Sequence, residues 1–381
     1  MQHIALVGTT ADAKLGFRAE LIKDLVAQGH KVFAFAGDYT DKTRAAISAL
    51  GAQPVSYSVS RFGINPIQDC YTLLQLVRLF KQHRIDMSFC YFAKPVIFGS
   101  LAAKLAGVPY RVAKIEGLGR IFTVPASGDT LRARILRWVQ TQLYRLALPA
   151  CHTVFVLNPD DEQDLITANN IKVKRCINLG GIGINLEQYQ PFTASGKIKF
   201  IFVGRLLPEK GIGYFIQAAT LLRQQGAPAE FVVLGEPDNS PGAINRAQLQ
   251  KLVEQGIIYY PGRVGNVSEY LRQSHVFVLP SYYREGVPRS TQEAMAAGLA
   301  IITTNVPGCR ETVSHKDNGL LVPPHDVAAL VAAMQQLIQQ PGLAEQMGQR
   351  SRTMAEKKYD VRKINHTILQ ALSLHTKQKH E

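Results

Sequence analysis

The sequence predicts an α/β protein made of two doubly wound domains. Three observations carry this. Short β-branched or apolar runs alternate with longer periodic segments. The alternation stops in a Gly/Pro-containing stretch at 180–198 and then restarts. The chain has 381 residues and is 46% hydrophobic, enough apolar material for more than one core.

The elements follow in order. Strand-like runs fall at 3–8, 31–36, 53–58, 87–92, 110–115 and 152–157. Helix-like segments lie between them at about 14–28, 41–50, 66–83, 96–106 and 130–147. Strands separated by helices give βαβ units and a parallel sheet covered on both faces. The linker carries Gly180, Gly181, Gly183, Pro191, Ser195 and Gly196. Beyond it strands are expected near 199–203, 230–234, 257–260, 275–279 and 300–303. Their helices are expected near 211–225, 242–254, 267–273 and 289–297, and three more at 326–338, 341–357 and 360–374. Ligands of such sheets bind at the carboxyl ends of the strands, so a cleft faced by the two domains is the expected site.

The formal net charge is +14, which calls for an anionic partner: nucleic acid, an acidic membrane surface or a phosphorylated substrate. Nine Lys and Arg against two acids lie between Lys94 and Ala147. Cys70, Cys90, Cys151, Cys176 and Cys309 show neither CxxC nor metal-ligand spacing and read as reduced core thiols. The start, Met-Gln-His before an apolar run, leads us to expect no signal peptide. No run reaches the ~20 apolar residues that span a bilayer. GxxxxGK[ST], GxGxxG and Asp-x-Asp are all missing, which disfavours a P-loop nucleotidase, an ordinary dinucleotide oxidoreductase and a carboxylate-held metal–nucleotide complex.

Two constellations can carry chemistry. In Gly204-Arg205-Leu-Leu-Pro-Glu209-Lys210-Gly211, a strand ends and a helix begins, with two cations between. Cations beside a helix amino terminus suit a diphosphate, and solvated loop cations are the plain alternative. In Pro280-Ser-Tyr-Tyr-Arg-Glu285-Gly286-Val287-Pro288-Arg289-Ser-Thr-Gln-Glu293, Pro288 suits a first helical turn. Glu285 then lies on the loop and Glu293 inside the helix. Two carboxylates near a strand end can accept hydrogen bonds from sugar and ribose hydroxyls. Alternatively, Glu285 caps the helix and Glu293 pairs with Arg289 at i, i+4.

These residues, with Val306-Pro-Gly308…Asn318-Gly319-Leu-Leu-Val-Pro-Pro, resemble the retaining glycosyltransferases of family 4, which have the GT-B fold of two Rossmann-like domains. Lys94-Pro-Val…Gly107-Val-Pro and Glu116-Gly-Leu-Gly119-Arg-Ile-Phe resemble the branch that extends bacterial surface glycans on polyprenyl-diphosphate carriers. The resemblance implies an acceptor domain at 1–185, a donor domain at 190–355 and a last helix, 356–381, crossing back to the first domain. It implies transfer of a sugar, an N-acetylhexosamine from a UDP-sugar, to a polyprenyl-diphosphate-linked saccharide at the cytoplasmic membrane face. No metal and no cofactor beyond the nucleotide-sugar donor are implied.

By the same resemblance, Arg205 and Lys210 bind the donor diphosphate, Glu285 sits by the donor sugar, and Glu293 binds ribose. Gly286 and Val287 offer backbone N–H groups to sugar oxygens. Gly8 and Thr9 close on the diphosphate, and Arg263 and Gly265 lie near the base. Glu116 stands where many members have a His and is taken as a cleft residue on the acceptor side, with Lys94. A GT-B epimerase or a phosphorylase is the competing enzyme class; the latter would carry a Lys-bound pyridoxal phosphate. A nucleic-acid-binding role lacks interleaved exposed aromatics and any groove-reading motif.

Residues 130–147 remain. Arg132, Arg134, Arg137 and Arg145 alternate with Leu131, Ile135, Trp138, Val139, Leu143 and Leu146. Such a helix can lie in an anionic interface, its Arg side chains gripping lipid headgroups or the acceptor diphosphate. In the alternative, its apolar face is core.

Overall fold

The computed structural model describes residues 1–60, 65–191, 196–238, 240 and 242–377. Residues 192–195 of the expected linker, Ser195 included, lie outside the described residues, as do 378–381 of the carboxyl segment. The chain forms two compact units. The first is 1–118, 131–182 and the chain from Ile364 onward; the second is 119–130 and 183–363.

The first unit holds a parallel sheet of seven strands: β1 (His3–Val7), β2 (Lys31–Ala36), β3 (Gln53–Ser56), β4 (Met87–Tyr91), β5 (Tyr110–Lys114), β6 (Thr153–Val156) and β7 (Cys176–Asn178). Their order is β3-β2-β1-β4-β5-β6-β7, so the winding reverses between β1 and β4. Strands buried on both faces read as near-continuous apolar runs, as in Met87-Ser-Phe-Cys-Tyr91, where every residue is buried. Phe33, Phe35, Tyr57 and Phe80 form one side of this core. Asn365 of the last helix donates to Asp24 Oδ2 at 2.7 Å within the same unit.

The second unit holds six parallel strands: β8 (Ile198–Val203), β9 (Ala229–Leu234), β10 (Tyr259–Gly262), β11 (Val276–Leu279), β12 (Ala300–Thr304) and β13 (Gly319–Val322). Their order, β10-β9-β8-β11-β12-β13, reverses between β8 and β11. Both loops singled out by their chemistry leave these two strands, which puts them at the switch point, where doubly wound sheets bind ligands.

Some elements differ from expectation. β7 and β13 were not expected as strands. The helix expected over 14–28 starts at Ala11, where Thr10 Oγ1 accepts from Ala13 N, and breaks at Arg18 (φ −129°) into two. The helix expected from 242 starts at Arg246, because Asn245 and Gln248 form a reciprocal capping box. Cys70 is not a core thiol; it is exposed on the helix Pro66–Gln82, while Cys90, Cys151 and Cys309 are buried. Among the described residues, no helix is long and apolar enough to cross a membrane.

Candidate functional site

The strand β8 ends at Val203, and the loop after it carries Arg205, exposed, and Lys210, mostly buried, ahead of the helix Ile212–Gln224. Gly211 makes the turn into that helix at φ +81°, and a Cβ there would lie 2.0 Å from the Pro280 carbonyl oxygen. Only glycine lets the β8 loop press so closely on the end of β11. Lys210 Nζ thereby reaches Glu285 Oε1 and forms an ion pair. It also stands 5.4 Å from the centre of the Tyr283 ring, within cation–π range.

Glu285 is 7% exposed. Ser281 Oγ donates to its Oε1 at 3.2 Å. Glu285 thus pairs across to the β8 loop. Burial raises the Tyr283 phenol; Glu285 adds to the shift, and the cations of Lys210 and Arg205 oppose it. That phenol therefore feels all three charged groups of the site. Gly286 and Val287 are buried, and the Val287 carbonyl accepts from Gln292 Nε2 at 3.1 Å.

Glu293 lies in the second turn of its helix, where Arg289 Nε donates to its Oε1 at 2.7 Å. The i, i+4 pair foreseen as the plain alternative is therefore present. It does not exclude a ligand, because an ionised carboxylate accepts several hydrogen bonds. Tyr189 lies beside this pair, and its phenol is raised, mainly by burial and then by Glu293. Arg263 and Gly265 follow β10; Arg263 is well exposed and lies 4.0 Å from Glu236. All of these belong to the second unit.

The remaining expected residues belong to the first unit. Gly8 and Thr9 follow β1 at that sheet's own switch point. The Gly8 carbonyl accepts from Tyr57 Oη at 3.0 Å, and the Thr9 carbonyl from Gly37 N at 3.0 Å. Lys94 pairs with Asp69 at 2.7 Å. Glu116 is enclosed: it pairs with Arg18 and stands 3.5 Å from Lys114, both buried. Lys14 is buried beside them and donates to Tyr91 Oη at 2.8 Å. Burial first, and then Arg18, pushes the Lys14 and Lys114 ammonium groups well below the usual lysine range.

The helix Leu131–Ala147 buries Gln140, Thr141, Tyr144 and Ala147. Leu131, Ile135, Trp138 and Leu146 are 71%, 52%, 64% and 63% exposed. Much of its apolar set is therefore turned out of the core, while Val139 and Leu143 are half-buried. Arg132 and Arg134 are exposed beside that face, whereas Arg137 is half-buried.

Four features of the site had no role in the sequence reading: Ser281, Tyr283, Tyr189, and a link from Arg120 to Glu209 at 3.0 Å. Ser281 and Tyr283 sit inside the Pro-Ser-x-x-x-Glu-Gly motif, which was the available signal. Arg120 sits inside the Glu116-Gly-Leu-Gly119-Arg-Ile-Phe motif, but nothing in that motif ties it to Glu209; Tyr189 comes from a segment that no motif marks.

The chain belongs to the glycosyl transferases group 1 family, whose model matches residues 186–354. Its fold is GT-B. It is 31% identical, over 80% of its own length and 81% of the other's, to the N,N'-diacetylbacillosaminyl-diphospho-undecaprenol α-1,3-N-acetylgalactosaminyltransferase of Campylobacter jejuni. It is 25% identical, over 71% of each chain, to the UDP-Gal:α-D-GlcNAc-diphosphoundecaprenol α-1,3-galactosyltransferase of Escherichia coli. The solved sucrose-phosphate synthase of Thermosynechococcus elongatus superposes with a TM-score of 0.79 at 20% identity, covering 99% of this chain and all of that one. The protein is a glycosyltransferase.

Proposed function

We propose that this glycosyltransferase moves a sugar, an N-acetylhexosamine from a UDP-sugar, to a saccharide carried on a polyprenyl diphosphate. It acts from the cytoplasmic face of the membrane, in the building of a bacterial surface glycan. The observation that carries the reading is the Lys210–Glu285 ion pair beside Arg205 at the switch point of the second sheet. The relatives' own reactions support the acceptor class.

In this reading Arg205, Lys210 and the amino terminus of the helix Ile212–Gln224 hold the donor diphosphate. Glu285 accepts hydrogen bonds from the donor sugar, Gly286 and Val287 offer it backbone N–H groups, and Glu293 holds the ribose. Arg263 and Gly265 are assigned to the base, and Gly8 and Thr9 to the diphosphate. The acceptor hydroxyl oxygen bonds to the anomeric carbon as that carbon's bond to the diphosphate oxygen breaks. Attack and departure share one face, so configuration is retained, and a donor phosphate oxygen takes the acceptor proton. Arg205 and Lys210 stabilise the charge that develops on the departing nucleotide, in place of a metal ion. Lys94 and Glu116 serve the acceptor side, Glu116 indirectly through the cations around it.

The helix Leu131–Ala147 is read as the membrane contact. A row of Leu131, Ile135, Trp138 and Leu146 turned to solvent, with Arg132 and Arg134 beside it, suits an anionic interface. Transfer of radiolabelled sugar from a UDP-sugar to a polyprenyl-diphosphate-linked saccharide tests the reaction. No transfer with any such pair would refute it.

A further inference from the structure

The stretch Gly119–Thr130 lies in sequence between β5 and the helix Leu131–Ala147, both of the first unit, yet it belongs to the second. We propose that Arg120 in this stretch is a positioning residue of the donor site, acting through Glu209 on the backbone that carries Lys210 and Glu285. The inference rests on the donor-site reading given above.

The geometry forms a continuous path. Arg120 Nε stands 3.0 Å from Glu209 Oε1. The Glu209 side chain is 13% exposed, and its Oε2 is buried without a hydrogen-bond partner among the described residues. The Glu209 carbonyl accepts three hydrogen bonds from the other loop: Tyr282 N at 2.9 Å, Tyr283 N at 3.1 Å and Ser281 Oγ at 3.1 Å. Ser281 Oγ shares its proton with Glu285 Oε1, 3.2 Å away, and Lys210 directly follows Glu209. Any displacement of Glu209 therefore moves both partners of the Lys210–Glu285 pair.

A second contact fixes the same loop from the same stretch. Gly119 N donates to the Arg284 carbonyl at 3.0 Å, and Arg284 N donates to Thr123 Oγ1 at 3.0 Å. Gly119 adopts φ 75°, ψ −165°, a region open essentially only to glycine. A Cβ there would come 3.3 Å from Tyr283 Oη. So residues 119–123 brace 281–285 at one end through Arg284 and at the other through Glu209. Arg120 itself is 57% exposed in its side chain, and a pair exposed to that degree adds little to global stability. Its removal should change the site and not the fold.

The test uses the full chain as wild type, Arg120→Ala and Arg120→Lys. Donor turnover onto the lipid-linked acceptor gives kcat and donor KM, hydrogen–deuterium exchange follows the peptide spanning Tyr282–Gly286, and melting reports the fold. We expect kcat to fall about tenfold or more in Arg120→Ala with KM nearly unchanged, since misplaced catalytic groups cost rate before ground-state binding. Exchange across Tyr282–Gly286 accelerates, melting stays within about 2 °C, and Arg120→Lys recovers most of the loss. Wild-type kcat and exchange in Arg120→Ala would overturn the proposal. So would equal losses in both variants accompanied by a fall in melting temperature. The exchange measurement needs no substrate. Faster exchange in Arg120→Ala alongside a wild type that transfers no sugar would support the brace and refute the donor-site reading.

Discussion

Lys210 and Glu285 are 75 residues apart in sequence, and their side chains form an ion pair at the switch point of the second sheet. The pair exists because Gly211 lets the loop after β8 touch the end of β11. In the proposed reading, a donor diphosphate shares Lys210 with Glu285, and that shared cation orients Glu285 toward the sugar.

That dependence gives a first prediction. Gly211→Ala introduces a side chain at φ +81° and 2.0 Å from the Pro280 carbonyl oxygen. Left-handed strain and the clash should cost about 1–3 kcal/mol, seen as a lower melting temperature. Sugar transfer should fall with it, because the turn carries Lys210. Unchanged melting would show that the two loops do not press on each other.

The exposed apolar row of the helix Leu131–Ala147 gives the second. Flotation with liposomes containing anionic lipid should retain the wild type. Ile135→Ser combined with Trp138→Ser should release it, as should Arg132→Ala combined with Arg134→Ala. High salt should mimic the Arg variant only, since screening weakens charge attraction and not apolar burial. Equal flotation of all variants would remove the membrane assignment from this helix.

A third concerns the nucleotide. A ligand that binds only the folded state stabilises it by mass action, about 2.7 kcal/mol at a hundredfold excess over Kd. UDP-sugars should therefore raise the melting temperature by several degrees, and GDP- and ADP-sugars should not. Glu293→Ala should abolish the UDP response.

The buried ammonium of Lys14 gives the fourth. Its folded pKa lies well below the usual lysine value of 10.5, mainly through burial. Below that value the unfolded chain takes up a proton that the native state resists, so unfolding is favoured. The penalty grows as pH falls toward the lowered native pKa, and it disappears above the unfolded one. Wild-type stability should rise between pH 7 and pH 10 from this group. Lys14→Met should flatten that rise, with its largest relative gain at neutral pH. A parallel pH profile for the variant would contradict the assignment.

Much of this molecule is legible in its sequence. The buried parallel strands are near-continuous apolar runs, and the linker glycines mark the restart of the pattern. Arg205, Lys210, Glu285 and Glu293 stand out because cations and carboxylates sit where strands end. The reading fails where the controlling contact is remote or short. β7 spans only Cys176–Asn178, too few residues for an alternation to register. The end of the helix Ala11–Phe17 depends on the backbone at Arg18, whose side chain is drawn into a buried cluster with Glu116. Residues 130–147 are amphipathic whichever way they face, and only the fold shows that Gln140 and Thr141 are inside and Trp138 outside. Arg120 and Glu209 lie 89 positions apart, and nothing local to either announces their pairing.

The central claim is that Lys210 and Glu293 hold a nucleotide-sugar donor whose sugar passes to a lipid-diphosphate saccharide. The most direct test is transfer of labelled N-acetylhexosamine from its UDP donor to a polyprenyl-diphosphate-linked saccharide by the wild type, Lys210→Ala and Glu293→Ala. The wild type should form product with the anomeric configuration of the donor. Both variants should fall by about a hundredfold or more while melting as folded proteins. Wild-type turnover in either folded variant would contradict the account.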